Sequence, residues 1–264
     1  VTVGDQRQLV TTRNIIVVED QAEVSLVESF LSADETEFQS NDVTQLFIGN
    51  DAKVDHVKIQ LQNDNTFHLS TWIVKVGSKA VYQAAQFTAG AHLSRNQLFV
   101  DMEGDDAIVN INGAYLLKGV QHCDTRLVVD HARPGCESRE LFKCVLDDQS
   151  KGVFQGKLVV RPCAQKTDGK QMAQALFLGQ GAEFDSKPEL EIYADDVACG
   201  HGSTSGQIDE DLLFYLNARG IPDDQAQTLL ITAFIGEAIE AINNEQLRDT
   251  IMNFTSDWLS KGLN

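Results

Sequence analysis

The sequence predicts a mainly β fold with a small helical domain at its C-terminal end. Three observations carry this. Apolar residues alternate with period two in short runs that recur about every 8–12 residues, the strand spacing of an all-β fold. The links between runs carry Asp, Asn and Gly, residues that accept local backbone hydrogen bonds or take positive φ. After Gly206 the period changes to that of a helix. We therefore divide the chain into a β body over residues 1–206 and a helical domain over 207–264.

The body reads as strands in order. Val57, Ile59 and Leu61 alternate with Lys58 and Gln60; Leu98, Val100 and Met102 alternate with Phe99 and Asp101. Phe142, Cys144 and Leu146 follow, then Leu158 and Val160, then Leu190, Ile192 and Ala194. Turn chemistry stands at 49–52, 104–107, 147–152 and 194–197. Short strands, polar corners and a weak internal repeat fit a sandwich, a barrel or a β-helix. Few Asn-Gly-type hairpin dipeptides occur, which favours a coil of parallel strands over a meander.

The tail predicts three helices. Ile208, Leu212, Leu213, Tyr215 and Leu216 share one face of the first, which Gly220 ends. Pro222 opens the second, where its missing N–H costs nothing. Leu229, Leu230, Ala233, Phe234, Ala238, Ile239 and Ile242 give that helix a broad apolar surface. Asn243 with Gln246 resembles a capping box for the third, which carries Leu247, Ile251, Phe254, Trp258 and Leu259. Three helices alone cannot cover this apolar area, so part of it must dock on the β body or on another protein.

Composition narrows the function. The 264 residues carry a formal charge of −18. Such a surface repels phosphate backbones and anionic membranes, so neither nucleic acid nor a membrane is an expected partner. No apolar run approaches the ~20 residues that span a bilayer. The chain opens at Val1 inside a β-like pattern, which reads as a piece of a longer protein. The five cysteines lack tight pairs and any C-x-x-C, which argues against a disulfide framework, a zinc ribbon or a thioredoxin site. A reducing cytoplasm is the expected compartment. Cys123, Cys136, Cys144 and Cys163 read as small buried hydrophobes.

Several enzyme signatures nearly form and fail. Gly152 to Lys157 lacks one residue of a phosphate loop, with Leu158 where Ser or Thr must reach magnesium, and reads as a turn before a strand. Gly200-His-Gly202 would need its third glycine where Ser205 stands. In Gly202-Ser-Thr-Ser-Gly206, Thr204 takes the nucleophile's place. The Asp-Asp pairs at 105–106, 147–148, 195–196 and 223–224 read as turns and caps, because adjacent carboxylates on a strand face opposite ways. What remains is Cys199-x-His201, flanked by Gly200 and Gly202 in a predicted Gly-rich loop between the two regimes of the chain. A thiol and an imidazole on bare backbone can ligate iron, but two ligands do not close a cluster site. A second chain must supply the rest.

The run Lys187-Pro188, Leu190-Glu191-Ile192, Ala194-Asp195-Asp196-Val197, Cys199-x-His201-Gly202, then Phe214-Tyr215-Leu216 through Arg219-Gly220-Ile221, resembles the C-terminal core of the SufB/SufD family of the SUF iron–sulfur cluster assembly system. His131-x-x-Pro134 and Gly152-x-Phe154-x-Gly156-Lys157 fit the same family. The Cys-x-His spacing favours its SufD side, since the SufB loop typically reads Glu-His-Glu. The resemblance implies a right-handed parallel β-helix followed by a small C-terminal helical domain. It implies a non-catalytic scaffold that pairs with a SufB-like subunit through strand edges and binds a SufC-like ATPase through its helices. No cofactor is expected in the isolated chain; a transient iron–sulfur cluster or iron is expected at the subunit interface, where the family's histidine and cysteine match His201 and Cys199. Ala198 and Gly200 replace the usual Lys and Ser, and the family's N-terminal helical region is absent from this sequence.

Three other readings stand beside this one. A SufB-type paralogue shares the fold. A polysaccharide-acting β-helix enzyme fits the β body but not the apolar tail. A plain oligomerisation module without metal chemistry needs only open edges, and would form a homodimer of this chain.

Overall fold

A computed structural model describes residues 7–32 and 35–262. Fourteen strands coil into a parallel β-solenoid of about seven turns, each turn giving one strand to each of two seven-stranded sheets. The first sheet runs β1 (Gln8–Val18), β3 (Phe38–Ile48), β5 (Thr66–Val76), β7 (Leu93–Met102), β9 (His122–His131), β11 (Lys151–Val160) and β13 (Glu183–Ile192). The second runs β2 (Glu23–Leu31), β4 (Lys53–Leu61), β6 (Val81–Thr88), β8 (Ile108–Leu117), β10 (Glu137–Leu146), β12 (Asp168–Phe177) and β14 (Ala198–Gly206). All the strand pairs within the sheets are parallel.

One corner shows how the sequence makes the coil. Gln21, Asp51, Lys79, Asp106, Gly135 and Lys166 all take positive φ there. Each donates its N–H to a carbonyl of the next turn: Asp51 to Ser78, Lys79 to Asp105, Asp106 to Pro134, Gly135 to Gln165. Behind each sits a small residue, and Ala52, Ala80, Ala107 and Cys136 are completely buried. Cys136 is thus one rung of an alanine ladder. Cys123 and Cys144 are buried as expected, but Cys163 is exposed at the corner between β11 and β12, its thiol donating to the Ala132 carbonyl at 3.1 Å.

Alternation along each strand divides side chains between the lumen and the outer faces. Leu98, Val100 and Met102 fill the lumen with Trp72, Tyr82, Leu127, Phe142 and Phe154. On β4 the apolar set faces the other way. Val57, Ile59 and Leu61 point outward beneath the helices, while Lys58 and Gln60 are fully buried in the lumen. Gly152 to Lys157 lies inside β11 rather than in a turn before a strand.

The helices are α1 (Glu210–Ala218), α2 (Asp223–Ile239) and α3 (Glu245–Gly262). Ile231, Ile235, Ala238, Ile239 and Ile242 pack with Ile251, Trp258 and Leu259 onto Ala85, Phe87, Ala114, Leu116 and Val145 of the second sheet. The apolar surface of α2 is narrower than its sequence suggests, since Leu229 and Ala233 are exposed. Lys143, buried on the outer face of β10, is held by Glu237 and lies 4.4 Å from the centre of the Phe234 ring. The cap of α3 is Asn244, whose Oδ1 accepts the Leu247 N–H; Asn243 instead donates to Asp55 at 2.6 Å and ties the helices to β4. Helix α1 starts at Asp209, which caps Asp211 and Leu212, and buries nothing. Its Leu212, Phe214 and Tyr215 stand in solvent, and Gly220, at φ +85°, closes the turn after it.

Candidate functional site

The segment read as a Gly-rich loop is a strand. β14 pairs with β12 along its whole length and, among the described residues, leaves its other edge free. Its sequence, rich in Gly, Ser and Thr, carries no apolar period; the ladder holds it in place. β13, the last strand of the other sheet, is also a free edge, which is where Pro188 is tolerated. Ile192 and Tyr193, beside it, are exposed.

Register places the pair. Cys199 lies beside Gly169 and His201 beside Gln171, on the lumen-facing side at the open end of the coil. Being two apart on a strand they share a face, about 6–7 Å apart along the backbone. Cys199 is half-buried against Val160, Ala164 and Ala194, and burial pushes its thiol up, with Asp168 and Glu140 adding to the rise. His201 is exposed. On the opposite face Gly200 presents bare backbone, where a Cβ would meet nothing within 4 Å, while the Met172 side chain lies over Gly202. A cavity of about 660 Å³ runs along this strand, lined from β10, β12 and β14 by Arg139, Lys170, Met172, Cys199 and His201 among others. Among the described residues no three His, Cys, Asp or Glu side chains converge as a metal site.

Comparison with known proteins places the chain in a family. Residues 1–234 match the model described as "SUF system FeS cluster assembly, SufBD core domain". The chain belongs to the SufBD core family. It is 31% identical to the iron–sulfur cluster assembly protein SufD of Escherichia coli over 94% of its own length and 59% of that protein. It is 33% identical to a SufBD family protein of Synechocystis, covering 89% of this chain and 53% of the relative. A chloroplastic Arabidopsis protein, ABCI7, is 32% identical over 91% and 51%. The SufBD chain thus spans between half and three fifths of the length of these relatives.

Two polar groups of the lumen escape a sequence reading. Near the N-terminal end, Lys58 donates to Asn96 at 2.7 Å and sits 5.3 Å from the centre of the Phe30 ring. Burial lowers its amine to about 7, against the pull of Glu28, Cys123 and Asp42. Glu28 accepts from Trp72 at 2.7 Å and pairs with His56 at 3.0 Å. Near the other end, Glu140 and Gln171 are each 2% exposed, and neither carboxyl oxygen nor either amide atom has a hydrogen-bond partner among the described residues. Burial pushes Glu140 up to about 8. The available signal was parity: Glu140 shares the face of Phe142 and Cys144, Gln171 that of Ala173 and Ala175.

Proposed function

We propose that this chain is the core of a non-catalytic scaffold for iron–sulfur cluster assembly. It presents Cys199 and His201 from the free edge of its last turn to a SufB-type subunit. The observation that carries this reading is the position of the pair, on the last strand of its sheet, whose outer edge is free among the described residues at the open end of the coil. A neighbouring strand can add to β14 through main-chain hydrogen bonds. Iron or a nascent cluster is then the cargo, with thiolate and imidazole as this chain's donors and the partner completing the set. The cysteines, free among the described residues, suit a reducing cytoplasm. No helix among the described residues is long and apolar enough to cross a membrane.

The test is His201→Ala in the full-length protein assembled with its partner subunits. Cluster formation falls at least tenfold; a wild-type rate refutes the role. Helix α1, with Leu212, Phe214 and Tyr215 in solvent, is the face offered to a SufC-type ATPase. Phe214→Asp abolishes ATPase capture in a pull-down, and undiminished capture overturns that assignment. The same free edges also favour pairing with a second copy when no partner is present, which sedimentation of the isolated chain reads directly.

A further inference from the structure

Glu140, Gln171 and His201 form one row. The registers Glu140 with Gln171 and Gln171 with His201 place them side by side on three neighbouring strands, all on the lumen-facing side. Adjacent strands lie about 4.8 Å apart, so each side chain has the next as its lateral neighbour. Deeper in the same row stand Ile111, Ala84, His56 and Leu26. From Ile111, which is fully buried, the row turns polar over the last three turns and stays so to the free edge.

Glu140 and Gln171 hold four side-chain oxygen and nitrogen atoms that are buried and unpartnered. Such groups are costly in a packed interior, and replacing them by apolar side chains is neutral or favourable. Their presence therefore asks for a role outside folding. Room has been left for them. A Cβ on Gly156 of the facing sheet would lie 2.2 Å from the Gln171 amide nitrogen, so only glycine lets that side chain extend across the lumen. The amide is a flexible end, free of hydrogen bonds, and can swing to its neighbour on β14.

We infer that Gln171 and Glu140 are positioning residues for His201. When a partner closes the edge, one imidazole N–H donates to Gln171 Oε1 and Gln171 Nε2–H donates to a Glu140 carboxyl oxygen. The second ring nitrogen keeps its lone pair, directed outward. Groups that fix the tautomer of a ligating histidine in this way commonly govern metal affinity. Glu140, raised to about 8 by burial, still accepts at its carbonyl oxygen when protonated at neutral pH, so the link does not require a buried charge. This inference rests on the scaffold reading above.

The test uses the full-length protein in its assembled complex. Two readouts are followed: the rate of cluster formation, and the tautomer of His201 by nitrogen-15 NMR with histidine labelled in this subunit alone. Gln171→Leu keeps or raises the melting temperature, slows cluster formation tenfold to a hundredfold, and turns His201 from one tautomer into a mixture. Glu140→Leu acts the same way, while Glu140→Gln, which keeps an acceptor at that place, stays near wild type. A wild-type rate and an unchanged His201 tautomer in Gln171→Leu overturn the inference. Should Gln171→Leu fail to fold, the contrast of Glu140→Leu with Glu140→Gln decides, and equal rates in those two overturn it. If His201→Ala itself leaves cluster formation untouched, the scaffold reading fails and this inference with it. If His201→Ala is inactive while Gln171→Leu is not, only the positioning role fails.

Discussion

Lys58→Met should make the protein more stable at neutral pH and remove a pH dependence. The lysine is fully buried, with one hydrogen bond to Asn96 Oδ1, and its amine is lowered from 10.5 to about 7. The unfolded chain binds that proton more tightly. Below pH 7 the wild type therefore bears the whole cost of a buried ammonium, on the order of 5 kcal/mol. As pH rises from 7 towards 10.5, the folded amine is already neutral and the cost declines, by about 2 kcal/mol between pH 7 and pH 9. Methionine fills the space without charge but leaves Asn96 Oδ1 unpartnered, which costs about 1–3 kcal/mol. The net expectation at pH 7 is a gain of about 1–3 kcal/mol. The assay is urea unfolding of both proteins at pH 7, 8 and 9. Taking the difference cancels groups that titrate alike in both. The gap should narrow by about 2 kcal/mol over that range. Parallel curves would refute the reasoning, because they would mean that the lumen keeps Lys58 charged at its ordinary affinity for the proton.

The contact between Lys143 and Glu237 should respond unequally to loss of its two halves. Glu237→Ala leaves a buried ammonium facing only the Phe234 ring, so unfolding experiments should show a loss on the order of 2–4 kcal/mol. Lys143→Met leaves a largely exposed Glu237 in water and should be neutral within about 1 kcal/mol. Hydrogen exchange of α2 reads the same asymmetry locally, with faster exchange in the first variant only.

The sequence carries the coil but not the faces of its strands. Period two marks Val57, Ile59 and Leu61 as a strand, yet both faces of the second sheet are covered, one by the lumen and one by the helices. Alternation then stops distinguishing core from solvent, and Lys58 and Gln60 look solvated while lying inside. β14 fails for the opposite reason. Its nine residues have no apolar period and little strand preference, so only the ladder on β12 shows that they are extended. Cys163 departs from the average burial of cysteine because it stands on the corner itself, while Cys136 stands one turn earlier in the alanine rung. In the helices, Asn244 displaces Asn243 as the cap because Asn243 is engaged by Asp55 across the interface, a contact that no local window contains.

The candidate site divides along the same line. Cys199 and His201 are legible because they are near each other in the chain and match a family pattern. Glu140 and Gln171 belong to the same place but are distant in sequence. A solenoid turns separation by one coil into lateral contact, so a row of three side chains is written as three isolated residues about thirty positions apart. A free edge on such a coil is the exposed end of rows that begin in the lumen. What His201 offers a neighbour therefore depends on the residues stacked behind it, and substitutions one and two turns inward should alter the edge while leaving the fold intact.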